Sequence, residues 1–246
     1  MNPEFKYEKL ERDARRNWDL FYKRNGTNFF KDRHWTGREF QDLCSDVDFQ
    51  KPHVLLEAGC GVGNFLLPFL AEFPSWSAYA CDFSPRAVQF VKEHADFDAD
   101  RCRVFECDLT LCDDDRSLHH HVPVGSVDLI SLVFVLSAVH PDKMPAVVHN
   151  LFAVLRPGGS VIVRDYALGD HAQMRFDARN KIGDNFYARQ DGTRAYYFSE
   201  DHLCQLFESV GFVMHSCASV HRQTTNRKEQ INVDRIFVQA RFKRPI

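Results

Sequence analysis

The sequence predicts an α/β fold with a mostly parallel sheet, on the strength of three observations. Short apolar runs alternate with segments of helical period between residues 53 and 165. The runs are near-continuously apolar. Glycines follow the first of them at every second position: Gly59, Gly61 and Gly63. Strands alternating with helices at this spacing indicate βαβ units, and apolar strands fit a sheet covered on both faces. A chain of 246 residues holds one large domain or two small ones. At that size about 70% of the unfolded surface can be buried without a disulfide or metal staple.

The elements follow in order. Residues 4–24 set Phe5, Leu10, Ala14, Trp18, Leu20 and Phe21 among frequent charges, an imperfect amphipathic helix. Asn28 to Trp35 read NFFKDRHW, an aromatic and basic cluster without a period, and a short helix runs from Thr36, its N-cap, to Cys44. Val54–Leu56 starts the first strand and Asn64–Glu72 the first core helix. A strand at Ser77–Cys81, a helix at Ser84–His94 and strands at Arg103–Cys107 and Val127–Val135 come next. A helix at Pro141–Leu155, a turn through Gly159 and a strand at Ser160–Asp165 complete the alternation. The 33 residues Tyr166 to Phe198 are polar, aromatic and rich in Arg and Asp, too long for an ordinary connection, so they read as a functional loop or small insertion. A helix at Ser199–Val210 precedes two strands, Phe212–Val220 and Arg235–Phe242, expected as an antiparallel hairpin at one edge. With no repeat and no linker, the organisation is an N-terminal extension, 1–50, and a domain, 51–246, carrying an insertion at 166–198.

Net charge is -3, unevenly spread: +3 over residues 1–40, +5 over residues 222–246 and -11 between them. Basic ends on an acidic body point to a polyanionic partner or to two solvated faces. No run approaches the ~18 apolar residues of a membrane span, and no signal-peptide pattern is legible. None of the eight cysteines forms a C-x-x-C pair and several sit in apolar runs, the pattern of free thiols in a reducing compartment, cytoplasmic and also nuclear. His119–His121 lack partners at metal-ligand spacing and read as a solvated loop, so no metal is expected. A monomer is expected.

The chemistry begins at Glu57–Ala58–Gly59–Cys60–Gly61–Val62–Gly63, between a strand and a helix. Its glycines allow close backbone approach to a ligand, and the helix start offers free N–H groups. Such a loop serves dinucleotide-binding and methyltransferase folds alike. Asp82 ends the next strand, 19 residues after Gly63, where a carboxylate accepts ribose hydroxyls or caps the following helix. Asp108 and Leu109 end the third strand, placed for an adenine amino group and ring. Glu57, Asp82 and Asp108 thus surround the crevice where open α/β sheets bind ligands. This order resembles the class I S-adenosylmethionine-dependent methyltransferases, and the alternate-residue glycines depart from the G-x-G-x-x-G of nicotinamide enzymes. The resemblance implies a Rossmann-like, seven-stranded, mostly parallel sheet with an antiparallel edge strand.

Longer strings narrow the likeness: Asn17–Trp18–Asp19–Leu20–Phe21–Tyr22–Lys23–Arg24–Asn25, Phe29–Phe30–Lys31–Asp32–Arg33–His34–Trp35, Cys81–Asp82–Phe83–Ser84, Phe134–Val135–Leu136–Ser137–Ala138–Val139 and Phe186–Tyr187–Ala188–Arg189–Gln190–Asp191–Gly192–Thr193–Arg194. With these the chain, from about Arg15 to Lys243, resembles the eukaryotic methyltransferase-like enzymes that form 3-methylcytidine in the anticodon loop of tRNA, above all the member acting on serine tRNAs with seryl-tRNA synthetase. The loop at 111–121 departs from the family, which bears on partner choice more than on chemistry. The resemblance implies S-adenosyl-L-methionine as cofactor, S-adenosyl-L-homocysteine as product, and tRNA and seryl-tRNA synthetase as partners. It implies that Trp18 and Tyr22 cover the cofactor, Gly59 meets its methionine part, Asp82 its ribose, Asp108 and Leu109 its adenine, and that Val133 lines the same pocket. By the residues alone, Trp18 and Tyr22 read first as a helix face packed on the core, and the resemblance turns that reading toward the cofactor.

N3 of neutral cytosine offers an in-plane lone pair to an already activated methyl group, so positioning and electrostatics are the main requirements. The product base is cationic, and a carboxylate would stabilise it. Asp191, with Arg189 beside it, is the first candidate; Asp165, equally a strand-end cap, is the second. Arg33, Arg189 and Arg194 are expected on base and phosphate, and Phe30, His34, Phe186 and Tyr187 in stacking or in the core. Arg241, Lys243 and Arg244 are expected on RNA phosphate, from the +5 balance of the C-terminal segment. Two other functions stay open: methyl transfer to a protein or small molecule, which the basic ends argue against, and a silent tRNA-binding scaffold, which the intact glycine loop and strand-end acids argue against.

Overall fold

The structure is a computed structural model that describes residues 3–27, 34–226 and 231–246. Its main sheet has seven strands in the order β3-β2-β1-β4-β5-β10-β9. The strands are β1 (Val54–Ala58), β2 (Ser77–Asp82), β3 (Cys102–Glu106), β4 (Val127–Val133), β5 (Leu155–Tyr166), β9 (Val213–Asn226) and β10 (Ile231–Lys243). β1 to β5 run parallel. β10 is antiparallel to both neighbours, so the reversed strand of the edge hairpin lies one place in from the edge. The hairpin is longer than the sequence suggests, at 14 and 13 residues. β5 also starts earlier: Leu155–Gly159, read as a turn, joins the strand through a register shift against β4.

Helices α4 (Leu66–Glu72) and α5 (Pro85–Lys92) cover one face together with α3 (His34–Leu43). α6 (Leu118–His121), α7 (Met144–Val154) and α9 (Glu200–Glu208) cover the other. Capping explains the α5 start: the Ser84 hydroxyl accepts from the Ala87 amide, and Pro85 takes the first helical position, where its missing N–H costs nothing. The single helix expected over residues 4–24 is two, α1 (Pro3–Arg12) and α2 (Ala14–Asn25), which bend at Asp13. α2 packs Phe21 and Tyr22 on Val62 and Ala87, with Trp18 at the margin. Burying each large side chain is worth about 1.5–3 kcal/mol, enough to hold this helix over the glycine loop.

The insertion is a small packed unit rather than a polar loop. After α8 (His171–Met174) it forms an antiparallel sheet of β6 (Lys181–Gly183), β7 (Phe186–Ala188) and β8 (Arg194–Tyr196). Its Phe186, Ala195, Tyr197 and Phe198 are buried.

Candidate active site

A cavity of about 720 Å³ opens where β1, β2, β3 and β4 end, the place at which α/β sheets bind ligands. Its floor is Gly59 from β1, Cys81–Phe83 from β2, Cys107–Thr110 from β3 and Phe134–Val135 beyond β4. Its roof comes from α1 and α2 through Glu11, Arg12, Arg15, Arg16, Trp18, Asp19 and Tyr22. Its far wall is Ala138–His140, Lys143 and Arg194.

The glycine loop is shaped by contacts that forbid side chains. Gly59 has φ +76°, and a Cβ there would lie 2.5 Å from Val135 Cγ2. The Gly61 amide donates to Asp82 Oδ2 at 3.0 Å, which ties the loop to the end of β2. Gly61, Gly63, Glu57 and Val133, all expected in cofactor binding, are absent from the lining. They stand behind it: Gly63 packs by Leu67 and Val91, and Glu57 and Val133 are buried.

Asp82 is nearly buried yet lines the cavity. Burial pushes its carboxyl up to about 6, against the lowering effect of the Ser84, Gly61 and Phe83 amides. The cap and ligand readings of this residue coincide, since Oδ1 accepts from the Ser84 amide at 2.9 Å and each oxygen has a second lone pair. Asp108 closes its own turn, with Oδ1 accepting from the amide and hydroxyl of Thr110 at 2.9 and 2.7 Å. Leu109 is buried beside it. Asn150, buried in the apolar α7, donates to the carbonyls of Leu109 and Leu111 and so fixes that wall. Among the described residues no group of metal-ligating side chains gathers; His119 Nε2 instead pairs with Asn150 Oδ1 at 3.0 Å.

The roof is latched on both sides. On the β2–β3 side, Arg15 Nε donates to the Phe83 carbonyl at 3.0 Å and Arg15 pairs with Glu106. There too, Asp19 Oδ1 accepts from the Ser84 hydroxyl at 2.9 Å and the Arg86 amide at 3.2 Å. On the far side, Tyr7 meets His140, and Glu11 pairs with Lys143 and Arg194. Burial alone would raise the Glu11 carboxyl, but the two cations hold it below its ordinary value. Arg194 is buried, lies over the Phe186 ring and also donates to the Ala138 carbonyl. Asp19 lay within the Asn17–Asn25 string without a role, while Glu11, His140 and Lys143 carried no motif of their own; their one signal was nearness in sequence to that string and to the one ending at Val139.

Several expectations are corrected. Asp191, Arg189 and Asp165 do not line the cavity. Asp191 Oδ1 accepts from the Thr193 amide and hydroxyl at 3.0 and 2.7 Å, and Oδ2 faces Arg24 at 3.5 Å. It is a turn-closing carboxylate that fastens the insertion to α2. Arg189 donates to the Arg194 carbonyl at 2.8 Å and lies over the Tyr166 ring. Asp165 is fully buried and accepts from the amides of Ser137 and Tyr166, both at 2.9 Å; burial pushes it up to about 6. It braces the segment after β4.

The proposed RNA-contacting residues fare similarly. Phe186 is buried, which removes it from stacking on a base, and Tyr187 stacks on Phe176 at 4.8 Å. Arg241 is 1% exposed and bonds Ser160, the Leu43 carbonyl and Asp46. Lys243 shares Asp46, and Arg244 donates to the Phe152 and Leu155 carbonyls at the end of α7. These three cations hold the hairpin to the body. Phe30, Arg33 and the side chain of His34 lie outside the described residues.

A glycine loop under a helical roof, two acids at successive strand ends and a 3-2-1-4-5 sheet with a reversed strand beyond it define a class I methyltransferase. The chain matches the methyltransferase domain family over residues 11–216. It belongs to the tRNA N(3)-cytidine methyltransferases of that family: it is 56% identical, over 98% of its length and 84% of the relative's, to tRNA N(3)-cytidine methyltransferase METTL6 of Homo sapiens. It is also 38% identical to tRNA N(3)-methylcytidine methyltransferase trm141 of Schizosaccharomyces pombe, over 98% of this chain and 96% of that one. Among solved structures, a SAM-dependent methyltransferase from Anabaena variabilis superposes with a TM-score of 0.68 at 14% identity, covering 94% of each chain. The 1,6-didemethyltoxoflavin-N1-methyltransferase of Burkholderia thailandensis, solved with S-adenosylhomocysteine, does so at 0.63 and 16%, covering all of this chain and 92% of that one. These two likenesses carry the fold.

Proposed function

We propose that this protein methylates N3 of cytidine in tRNA, with S-adenosylmethionine as donor. The observation that carries the reading is the cavity at the ends of β1–β4, with buried Asp82 and the Asp108–Leu109 turn on its floor, in a chain 56% identical to an enzyme named for that reaction. The residues present fit the cofactor. Asp82 is a buried carboxylate on a cavity wall, set to accept two ribose hydroxyls. Leu109 and the Asn150-braced turn would hold adenine, bare Gly59 would meet the methionine part, and Trp18 and Tyr22 would close from above.

Bound there, the cofactor would supply an activated methyl group, which the neutral N3 of cytosine could accept without first losing a proton. The protein's contribution is alignment in a water-poor chamber, so the roof and its latches belong to the mechanism. N3 lies on the Watson–Crick edge, so the cytidine must be unpaired or turned out to reach the cavity. Arg12 and Arg16 at the cavity rim would meet RNA phosphate.

A preference for serine tRNAs, cooperation with seryl-tRNA synthetase, a monomeric state and a cytoplasmic or nuclear setting belong to the same proposal. The eight free cysteines, five of them buried, support a reducing compartment. Nucleoside mass spectrometry of a tRNA pool incubated with the protein and labelled S-adenosylmethionine tests the reaction: labelled 3-methylcytidine is expected, and label in any other nucleoside or none overturns it. Repeating the assay with and without the synthetase, on serine and other tRNAs, tests the preference.

A further inference from the structure

We propose that Asp19 is a positioning residue: through Ser84 it fastens the roof helix α2 to the carboxylate that seats the donor's ribose, so that donor binding and roof closure favour each other. This role rests on the function proposed above. Asp82 reaches α2 by two routes, one from each carboxylate oxygen. Oδ1 accepts from the Ser84 amide at 2.9 Å, and the Ser84 hydroxyl donates to Asp19 Oδ1 at 2.9 Å. Oδ2 accepts from the Gly61 amide at 3.0 Å, and a Cβ on Gly61 would lie 3.0 Å from the Tyr22 hydroxyl. Asp19 and Tyr22 are three positions apart on α2, so one helix face meets both routes.

Ser84 has no freedom left with which to absorb a movement. It is fully buried, its hydroxyl proton goes to Asp19, and its oxygen accepts from the Ala87 amide at 3.3 Å. Asp19 Oδ1 also accepts from the Arg86 amide at 3.2 Å. Packing repeats the linkage, since Phe21 and Tyr22 sit on Val62 of the glycine loop and on Ala87. A shift of α2 therefore moves or unbonds the turn that carries Asp82.

Charge gives the coupling its sign. Burial first, with the Asp19 charge adding to it, raises the Asp82 carboxyl to about 6 against the Ser84, Gly61 and Phe83 amides. Near neutral pH two carboxylates thus oppose each other across Ser84. Ribose hydroxyls donated to Asp82 would answer its charge and let α2 settle. The other titratable or charged groups around Asp82 are Arg15 on α2, Arg86 at the start of α5, Glu57 and Cys60 by the glycine loop, and Cys107 and Asp108 beyond β3. Both thiols are pushed up, Cys60 by burial and Cys107 by its bond to Cys81, and stay neutral. Arg12 and Arg16 ride on the same roof, so the donor-bound protein presents them to RNA together, and by linkage RNA bound there tightens the donor.

The test compares D19A and D19N with wild type in three measurements: calorimetric S-adenosylhomocysteine affinity from about pH 5 to about pH 8, hydrogen exchange of α2 with and without that ligand, and melting temperature. D19A removes acceptor and charge, whereas D19N keeps an oxygen for Ser84 and Arg86 and removes the charge alone. In wild type the ligand is expected to slow α2 exchange about fivefold or more. D19A is expected to bind about tenfold more weakly, from two lost hydrogen bonds, and to lose that protection. D19N is expected to bind within about threefold of wild type above about pH 7. On going to about pH 5 it should lose about twofold to threefold less affinity than wild type, because Asp82 keeps its charge further into acid. If D19A melts below the assay temperature, the pH profile of D19N decides. D19A with wild-type affinity and protection, or D19N with the wild-type pH profile, makes Asp19 a structural contact and overturns the coupling, while wild-type 3-methylcytidine formation leaves the proposed function standing. Failure of the wild type to bind the ligand overturns both.

Discussion

The two halves of the cavity are held by different means. The half over β1–β3 is fixed by local backbone geometry: a glycine loop tied to Asp82, a turn closed by Asp108 and a helix capped by Ser84. The half beyond β4 is fixed by side chains distant in sequence: Glu11 on Arg194 and Lys143, Tyr7 on His140, Asn17 on the Gly192 carbonyl. Gly192 shows how close the last contact is, since a Cβ there would lie 2.7 Å from Asn17 Nδ2. Local geometry writes itself into a short string, whereas a long-range ion pair leaves two ordinary charges in unrelated segments.

The sharpest way to break this contrast is Asp82→Ala. Each lost charge-assisted hydrogen bond costs about 1.5–3 kcal/mol, so S-adenosylmethionine affinity should fall about 10²-fold or more, with the fold intact by circular dichroism. Unchanged affinity in calorimetry would take the ribose role from Asp82. Next comes Arg241→Ala. Removing one partner of a buried pair costs about 3–5 kcal/mol, and because Asp46 is 47% exposed in its side chain the lower end applies. Chemical denaturation should register that loss, while the salt dependence of tRNA binding stays as in wild type. A shallower salt slope would restore Arg241 to the RNA surface.

The pH dependence of cofactor binding is a smaller effect. The Asp82 carboxyl sits at about 6 against an ordinary 3.8. A raised folded value means the empty protein loses stability as pH climbs from about 4 to about 6. Hydroxyl donors favour the ionised form, so affinity should be full above about pH 6 and fall toward tenfold per unit below it. Affinity that stays flat from pH 5 to 7 would contradict the assignment. Glu11→Gln should unlatch the far wall and weaken tRNA methylation by at least about threefold to tenfold, about 1 kcal/mol or more because Arg194 is buried and Glu11 is 25% exposed in its side chain; an unaltered kcat/KM would make the latch dispensable. Smallest is Asp191→Asn, expected to keep the single-turnover rate within about threefold because the carboxylate faces Thr193 and Arg24 rather than the cavity. A loss of 10²-fold, the size of a true electrostatic contact in catalysis, would return it to the chemistry.

The same contrast explains what was legible in the sequence. The parallel sheet, the crescent of Gly59, Asp82, Asp108 and Leu109, and Trp18 with Tyr22 in the roof were readable because period, glycine spacing and strand ends are local signals. Arg241, Lys243 and Arg244 misled because a charge count cannot reveal that Asp46 and the end of α7 consume those cations. Asp191 misled because D-G-T is also a turn sequence, with Thr193 taking both bonds of its Oδ1. The insertion read as polar because its buried run from Thr193 to Phe198 includes a charged residue, Arg194, whose partner is 183 positions away.

That separation has a consequence for biosynthesis. The roof helices leave the ribosome before the sheet they cover, while their far-side partners, 133 residues on at His140 and 183 on at Arg194, follow much later. Domains form as their chain emerges, and contacts spanning most of a chain are slow to close. The nascent protein thus carries an unfastened pair of helices, bent at Asp13, through most of the domain's translation, and the chamber for donor and RNA is completed only after the insertion has emerged. A chain that stopped between β5 and β8 would carry the parallel strands and the glycine loop but lack Arg194, the far-side partner of Glu11.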